Sequence, residues 1–111
     1  EKRGADARMK NRPHDAAVVE LLKADPEFAN EYLAAALEAD EPGGQAALLA
    51  ALRHVAEAQG MAAVAERAGI PRESLYRALG PKGNPTAKTL LAVLGAAGLH
   101  LAVTRQDSVH A

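Results

Sequence analysis

Apolar residues recur along this chain at helical spacing, and the breaks between the runs are marked by Pro and Gly. Val18, Val19, Leu21 and Leu22 predict a first helix over about Asp15–Ala24, with Asp15 placed to cap it. Asp25-Pro26 restarts the chain, since Asp suits an N-cap and Pro the first helical position. Phe28, Ala29, Tyr32, Leu33, Ala36 and Leu37 then share one face of a second helix, whose other face carries Glu27, Glu31 and Glu38. After the break at Glu41-Pro42-Gly43-Gly44, a third helix over about Gln45–Gln59 is marked by Leu48, Leu49, Leu52, Val55 and Ala56.

Met61–Gly80, MAAVAERAGIPRESLYRALG, has the pattern of a helix-turn-helix. Ala65 is small enough for two helices to touch, and Gly69 sits where the turn needs a positive φ. Val64, Ala68, Ile70, Leu75 and Ala78 occupy the apolar positions between the helices. An ordinary helical hairpin with a Gly turn would share some of these features, but seven positions agree in one frame. Gly80-Pro81-Lys82-Gly83-Asn84-Pro85 forces a loop, and a last helix over about Thr86–Ala97 is expected to bury Leu90, Leu91 and Leu94. Leu99–Val103 alternates and reads as a short strand with Leu99, Leu101 and Val103 on one face. With no second strand in the chain, it would have to pair with its own copy, making those three residues a dimer interface.

The pattern implies an all-α fold, a five- to six-helix domain built on a helix-turn-helix, with a short C-terminal strand. Residues 1–12 read as an expression remnant and flexible N-terminus, 13–104 as a single domain and 105–111 as a tail. Within the domain, 13–41 are acidic front helices, 45–98 the helix-turn-helix core and 99–104 the strand. The dominance of Ala and Leu and an aromatic content of 3% fit that helical class. Absence of cysteine excludes a disulfide framework, a Cys-based zinc site and a thiol nucleophile. No apolar stretch is long enough for a bilayer span, so the expected location is cytoplasmic, with no membrane partner.

A net charge of −1 hides an uneven distribution. Pro13–Glu41 holds eight acids against Lys23 alone, whereas Met61 onward holds Arg67, Arg72, Arg77, Lys82, Lys88 and Arg105 against Glu66, Glu73 and Asp107. Two partners of opposite charge would account for this, although a charged helix face also serves solubility alone.

On the second motif helix, Glu73, Tyr76 and Arg77 lie opposite Leu75, Ala78 and Leu79, with Arg72 and Ser74 near the N-terminal end. That end of a recognition helix meets base edges in the major groove, where Arg bonds guanine and Glu accepts from cytosine. Lys82, Asn84 and Lys88 follow where phosphates would pass, and Lys88 stands against the helix dipole, as a bound phosphate would explain. Glu73 and Arg77, four apart, could equally form a surface ion pair. The four histidines, His14, His54, His100 and His110, share no ligand spacing, and neither Ser74 nor Ser108 has an activating neighbour. No catalytic site, metal site or cofactor is expected, and the chain does not read as an enzyme.

The block Ala50–Val103 resembles the probable addiction-module antidote proteins, a branch of the Xre-like helix-turn-helix antitoxins. Pro71-Arg72-Glu73-Ser74-Leu75-Tyr76-Arg77-Ala78-Leu79-Gly80-Pro81 with Gly83-Asn84-Pro85 carries the family's most specific pattern, Gly80 standing where serine is more usual. EYLAAALEAD upstream is similar to the family's front helix. The resemblance implies a lambda-repressor-like helix-turn-helix fold and a bacterial antitoxin of a type II toxin–antitoxin system. Such a protein neutralises a basic RelE/ParE-type toxin and represses its own operon by binding double-stranded operator DNA as a homodimer. A phage- or Xre-type repressor without a toxin partner is the alternative. Because residues 105–111 are too short to wrap a toxin, the acidic front half, with Glu27, Glu31 and Glu38, is the expected toxin surface. Phe28 or Tyr32 would supply apolar anchors if they are not core.

Overall fold

The computed structural model describes residues 15–38 and 44–105. The expected expression remnant at 1–12, the break at 41–43 and the tail beyond 105 lie outside these. Residues 15–24 form helix α1. A 3-10 turn, Pro26–Phe28, leads into α2, Ala29–Leu37. Helices α3 (Gly44–Gln59), α4 (Met61–Ala68), α5 (Arg72–Ala78) and α6 (Ala87–Ala96) complete an all-helical array. Helix α2 packs on α3, while α4 packs on α3, α5 and α6. All six helices contribute to a single core, with Leu22, Leu33, Leu52, Val64, Leu75 and Val93 buried from α1 to α6 in turn.

The start of α1 and the face of α6 differ from expectation. Asp15 is itself helical, and its carboxylate points to His54 rather than capping α1. Asp25 stands at the N-cap before Pro26, yet its side chain makes no capping bond. Leu91 is half exposed because Leu90, Val93, Leu94 and Ala97 set the inward stripe of α6 at i, i+3, i+4 and i+7, which turns Leu91 outward.

Among the described residues no strand forms, and the expected strand at 99–104 is corrected to a segment without regular secondary structure. The cause lies at the end of α6. Gly98 adopts a positive φ of 86°, Leu99 N–H returns to the Leu94 carbonyl at 2.8 Å, and Gly98 N–H to that of Gly95 at 3.0 Å. This is a Schellman cap, and it commits Leu99 to packing back on the helix end. Leu99 is accordingly half-buried against the core, while Leu101 and Val103 are left 51% and 98% exposed.

A side-chain clasp ties three helix ends together at the same place. Arg67 Nε–H donates to the Ala96 carbonyl at 2.8 Å, and its Nη2 donates to Gln59 Oε1 at 3.0 Å. Gln59 Nε2 in turn donates to the Ala97 carbonyl at 2.8 Å. Carbonyls at a helix C-terminus lack intrahelical partners and carry partial negative charge, so a guanidinium there is favourable. Arg67 therefore serves the fold. Its exposure limits the gain, and Arg67→Ala is expected to lower stability by about 1 kcal/mol, read as a shift in the urea midpoint.

Candidate nucleic-acid interface

The turn between α4 and α5 is short and is made at a glycine. Gly69 has φ of 77°, with Gly69 N–H bonded to the Glu66 carbonyl and Ile70 N–H to that of Ala65, both at 3.1 Å. This second Schellman cap ends α4 abruptly, and extended Pro71 (ψ 150°) starts α5 in a new direction. The link Gly69-Ile70-Pro71 is thus a short, Gly-containing turn between two helices, compatible with a helix-turn-helix.

Leu75 and Leu79 are fully buried and hold the inner side of α5 against the core. The outer side is open. Arg72, Glu73, Tyr76 and Arg77 are exposed, and Ser74 is half-buried. Glu73 and Arg77 do not pair; Arg77 Nη2 lies instead 3.5 Å from Ser74 Oγ, at the limit of a hydrogen bond. The Arg72 guanidinium sits 6.0 Å from the Tyr76 ring centre, at the outer range of a cation–π contact. Both arginines therefore keep most of their donors directed to solvent.

Lys82 is exposed in the turn after α5, which Gly83 N–H closes on the Gly80 carbonyl at 2.9 Å. Gly83 is tightly packed, because a Cβ there would stand 2.0 Å from the Ala78 carbonyl oxygen. Asn84 Oδ1 accepts from Gln45 Nε2 at 3.4 Å, a long bond that ties the loop to α3. Thr86 caps α6 by accepting from Thr89 N–H at 3.1 Å, and Lys88 is exposed in its first turn. The basic residues thus follow one another along α5, the turn and the start of α6.

The acidic half has its own organisation. Glu27, Glu31 and Glu38 are exposed, whereas Phe28 and Tyr32 are half-buried, with ring centres 6.0 Å apart. Both aromatics pack against the core and are therefore poor anchors for a partner. Tyr32 also joins a network that the spacing of residues along the chain could not reveal. His54, buried in α3, lies 3.1 Å from Asp15 Oδ1 through Nε2 and 2.7 Å from Tyr32 Oη through Nδ1. A carboxylate oxygen accepts, so Nε2–H donates to Asp15; with the hydrogen on Nε2 alone, Nδ1 accepts from the Tyr32 hydroxyl. Three helices are joined through one histidine.

Burial first, and the Asp15 carboxylate second, push the Tyr32 phenol above its ordinary value of 10.0. A raised folded-state value means the contribution is whole below the unfolded value and is lost as pH rises through the folded one. Stability is therefore expected to fall above pH ~10. Tyr32→Phe should flatten that limb in urea midpoints measured across the alkaline range, although it also loses the hydrogen bond to His54.

Among the described residues, no group of three or more His, Cys, Asp or Glu side chains is placed to hold a metal ion, and no helix is long and apolar enough to cross a membrane. A family model described as a probable addiction module antidote protein matches residues 12–105. An uncharacterized protein of Haemophilus influenzae is 45% identical over 56 residues, which span 50% of this chain and 58% of that protein. No solved structure matches.

Proposed function

Because this chain belongs to the probable addiction module antidote family, with an antitoxin role, we propose that it binds both operator DNA and a basic RelE/ParE-type toxin. In this reading it is a regulator that represses its own operon. The observation that carries the DNA half is α5 itself, anchored inside by Leu75 and Leu79 and presenting Arg72, Glu73, Tyr76 and Arg77 outside. Arg72, Glu73 and Arg77, with Ser74 and Tyr76 beside them, would meet base edges, while Lys82, Asn84 and Lys88 would meet phosphates.

Operators read by helix-turn-helix dimers have half-sites about 34–36 Å apart. Val103 is proposed for the contact between copies, being apolar and open at the end of a segment that pairs with no strand among the described residues. Leu99 would support that contact from the helix end it caps. For the toxin, Glu27, Glu31 and Glu38 supply the complementary charge.

One set of variants tests both halves. Arg72→Ala and Arg77→Ala should each cost about 1–3 kcal/mol of specific binding in gel shifts on the DNA upstream of the gene, with circular dichroism unchanged. Glu27, Glu31 and Glu38 changed together to Lys should spare that binding and abolish rescue of growth from the toxin encoded beside this gene. Wild-type DNA affinity in both arginine variants would remove α5 as the reading element. Normal rescue by the triple variant would leave the acids as solvated surface only.

A further inference from the structure

The outer side of α2 combines its acids with an apolar groove. Asn30, Ala34 and Leu37, at i, i+4 and i+7, form one wall of a groove of about 200 Å³ that runs between α2 and α6. Leu48, Leu90 and Leu94 line its interior. Leu37 at 55% exposure and Leu101 at 51% stand at its opposite lips, so the apolar surface is open. Past Asn30 and Leu99 the groove continues to Pro26 and Glu27. Past Leu37 and Leu90 it continues toward Gln45 and Asn84.

Glu31 and Glu38 lie at i−3 and i+4 from Ala34, so the carboxylates that begin with Glu27 follow the groove wall along α2. His100 is the titratable residue on the facing lip. An apolar trough beside three carboxylates repels nucleic acid. It also disfavours a second copy, which would bring the same acids against these. It complements a helix with apolar residues on one side and Lys or Arg beside them.

We propose that the α2–α6 groove is the docking site for a basic amphipathic helix of the partner protein, with Leu37 and Leu101 as apolar contacts and Glu27, Glu31 and Glu38 as charge partners. The inference rests on the antitoxin reading and deepens it. Open leucines replace Phe28 and Tyr32 as the source of affinity.

The full ¹⁵N-labelled chain is titrated with a synthetic helical peptide carrying Leu at i, i+4 positions and Lys elsewhere, and with the same peptide carrying Glu for Lys. The Lys peptide should shift the amides of Ala34, Leu37, Leu48, Leu90 and Leu101, and the Glu peptide should not. Leu37→Arg, at a site open enough to keep the fold, should weaken binding about tenfold or more and reduce rescue from the toxin encoded beside the gene. Its operator binding and mass by light scattering should be unchanged. Shifts confined to other surfaces, equal binding of both peptides, or wild-type affinity in Leu37→Arg would overturn the proposal. So would a lower oligomeric state in that variant, which would give the groove to a second copy. If wild type and Leu37→Arg rescue growth equally, the groove assignment fails and the antitoxin reading stands. If wild type itself gives no rescue, both fall.

Discussion

Leu75→Ala is expected to lower the unfolding free energy by about 2–5 kcal/mol and, on the proposed DNA-reading role of α5, to weaken operator binding although Leu75 faces the core. Its side chain is fully buried, so truncation removes apolar contacts and leaves a cavity. A helix of seven residues cannot persist on its own propensity, and α5 holds its shape because Leu75 and Leu79 are seated in the core. Domains of this size have a total stability of only about 5–15 kcal/mol, so the loss is a large fraction. Urea unfolding gives the stability, and gel shifts at low temperature give the binding. The neighbouring Tyr76→Ala, at a 44% exposed site, should leave stability almost unchanged. A Leu75→Ala chain within about 0.5 kcal/mol of wild type would mean that α5 is not anchored as described.

Removing the imidazole in His54→Ala should cost about 2–4 kcal/mol, because it opens a cavity and breaks two hydrogen bonds at once. The consequence reaches beyond α3. Asp15 and Tyr32 belong to α1 and α2, so both front helices lose a tie to the core. His54→Leu, which refills the space without the bonds, should recover part of the loss. A double-mutant cycle with Tyr32→Phe measures the coupling directly. Additive effects of the two substitutions would show that the 2.7 Å contact contributes nothing of its own.

The helices were readable because their apolar residues repeat at 3.6-residue spacing and their ends carry Pro and Gly. Gly69 was readable for the same local reason, since a positive φ at a helix end selects glycine. The outward set on α5 followed from Leu75 and Leu79 facing inward. Leu99–Val103 misled because alternation is also compatible with a segment without regular secondary structure. The residue after Gly98 was claimed by the end of α6, which two-residue periodicity does not register. Leu91 misled because Leu90, Leu91 and Leu94 also fit one side of a helix, and only the burial of Val93 and Ala97 centres the inward stripe away from Leu91.

Arg67 looked like one more base in the basic half until the ends of α3 and α6 were brought beside it. His54 showed no partner by spacing because Asp15 and Tyr32 lie 39 and 22 residues before it. The groove likewise joins residues of α2, α3 and α6 with the C-terminal segment. Helix positions, the motif turn and the division of charge were set locally by side-chain pattern and backbone preference. The partners of Asp15, the clasp at Arg67 and the open leucines beside the acids depend on which helix faces are brought together, and that is decided only when the core closes.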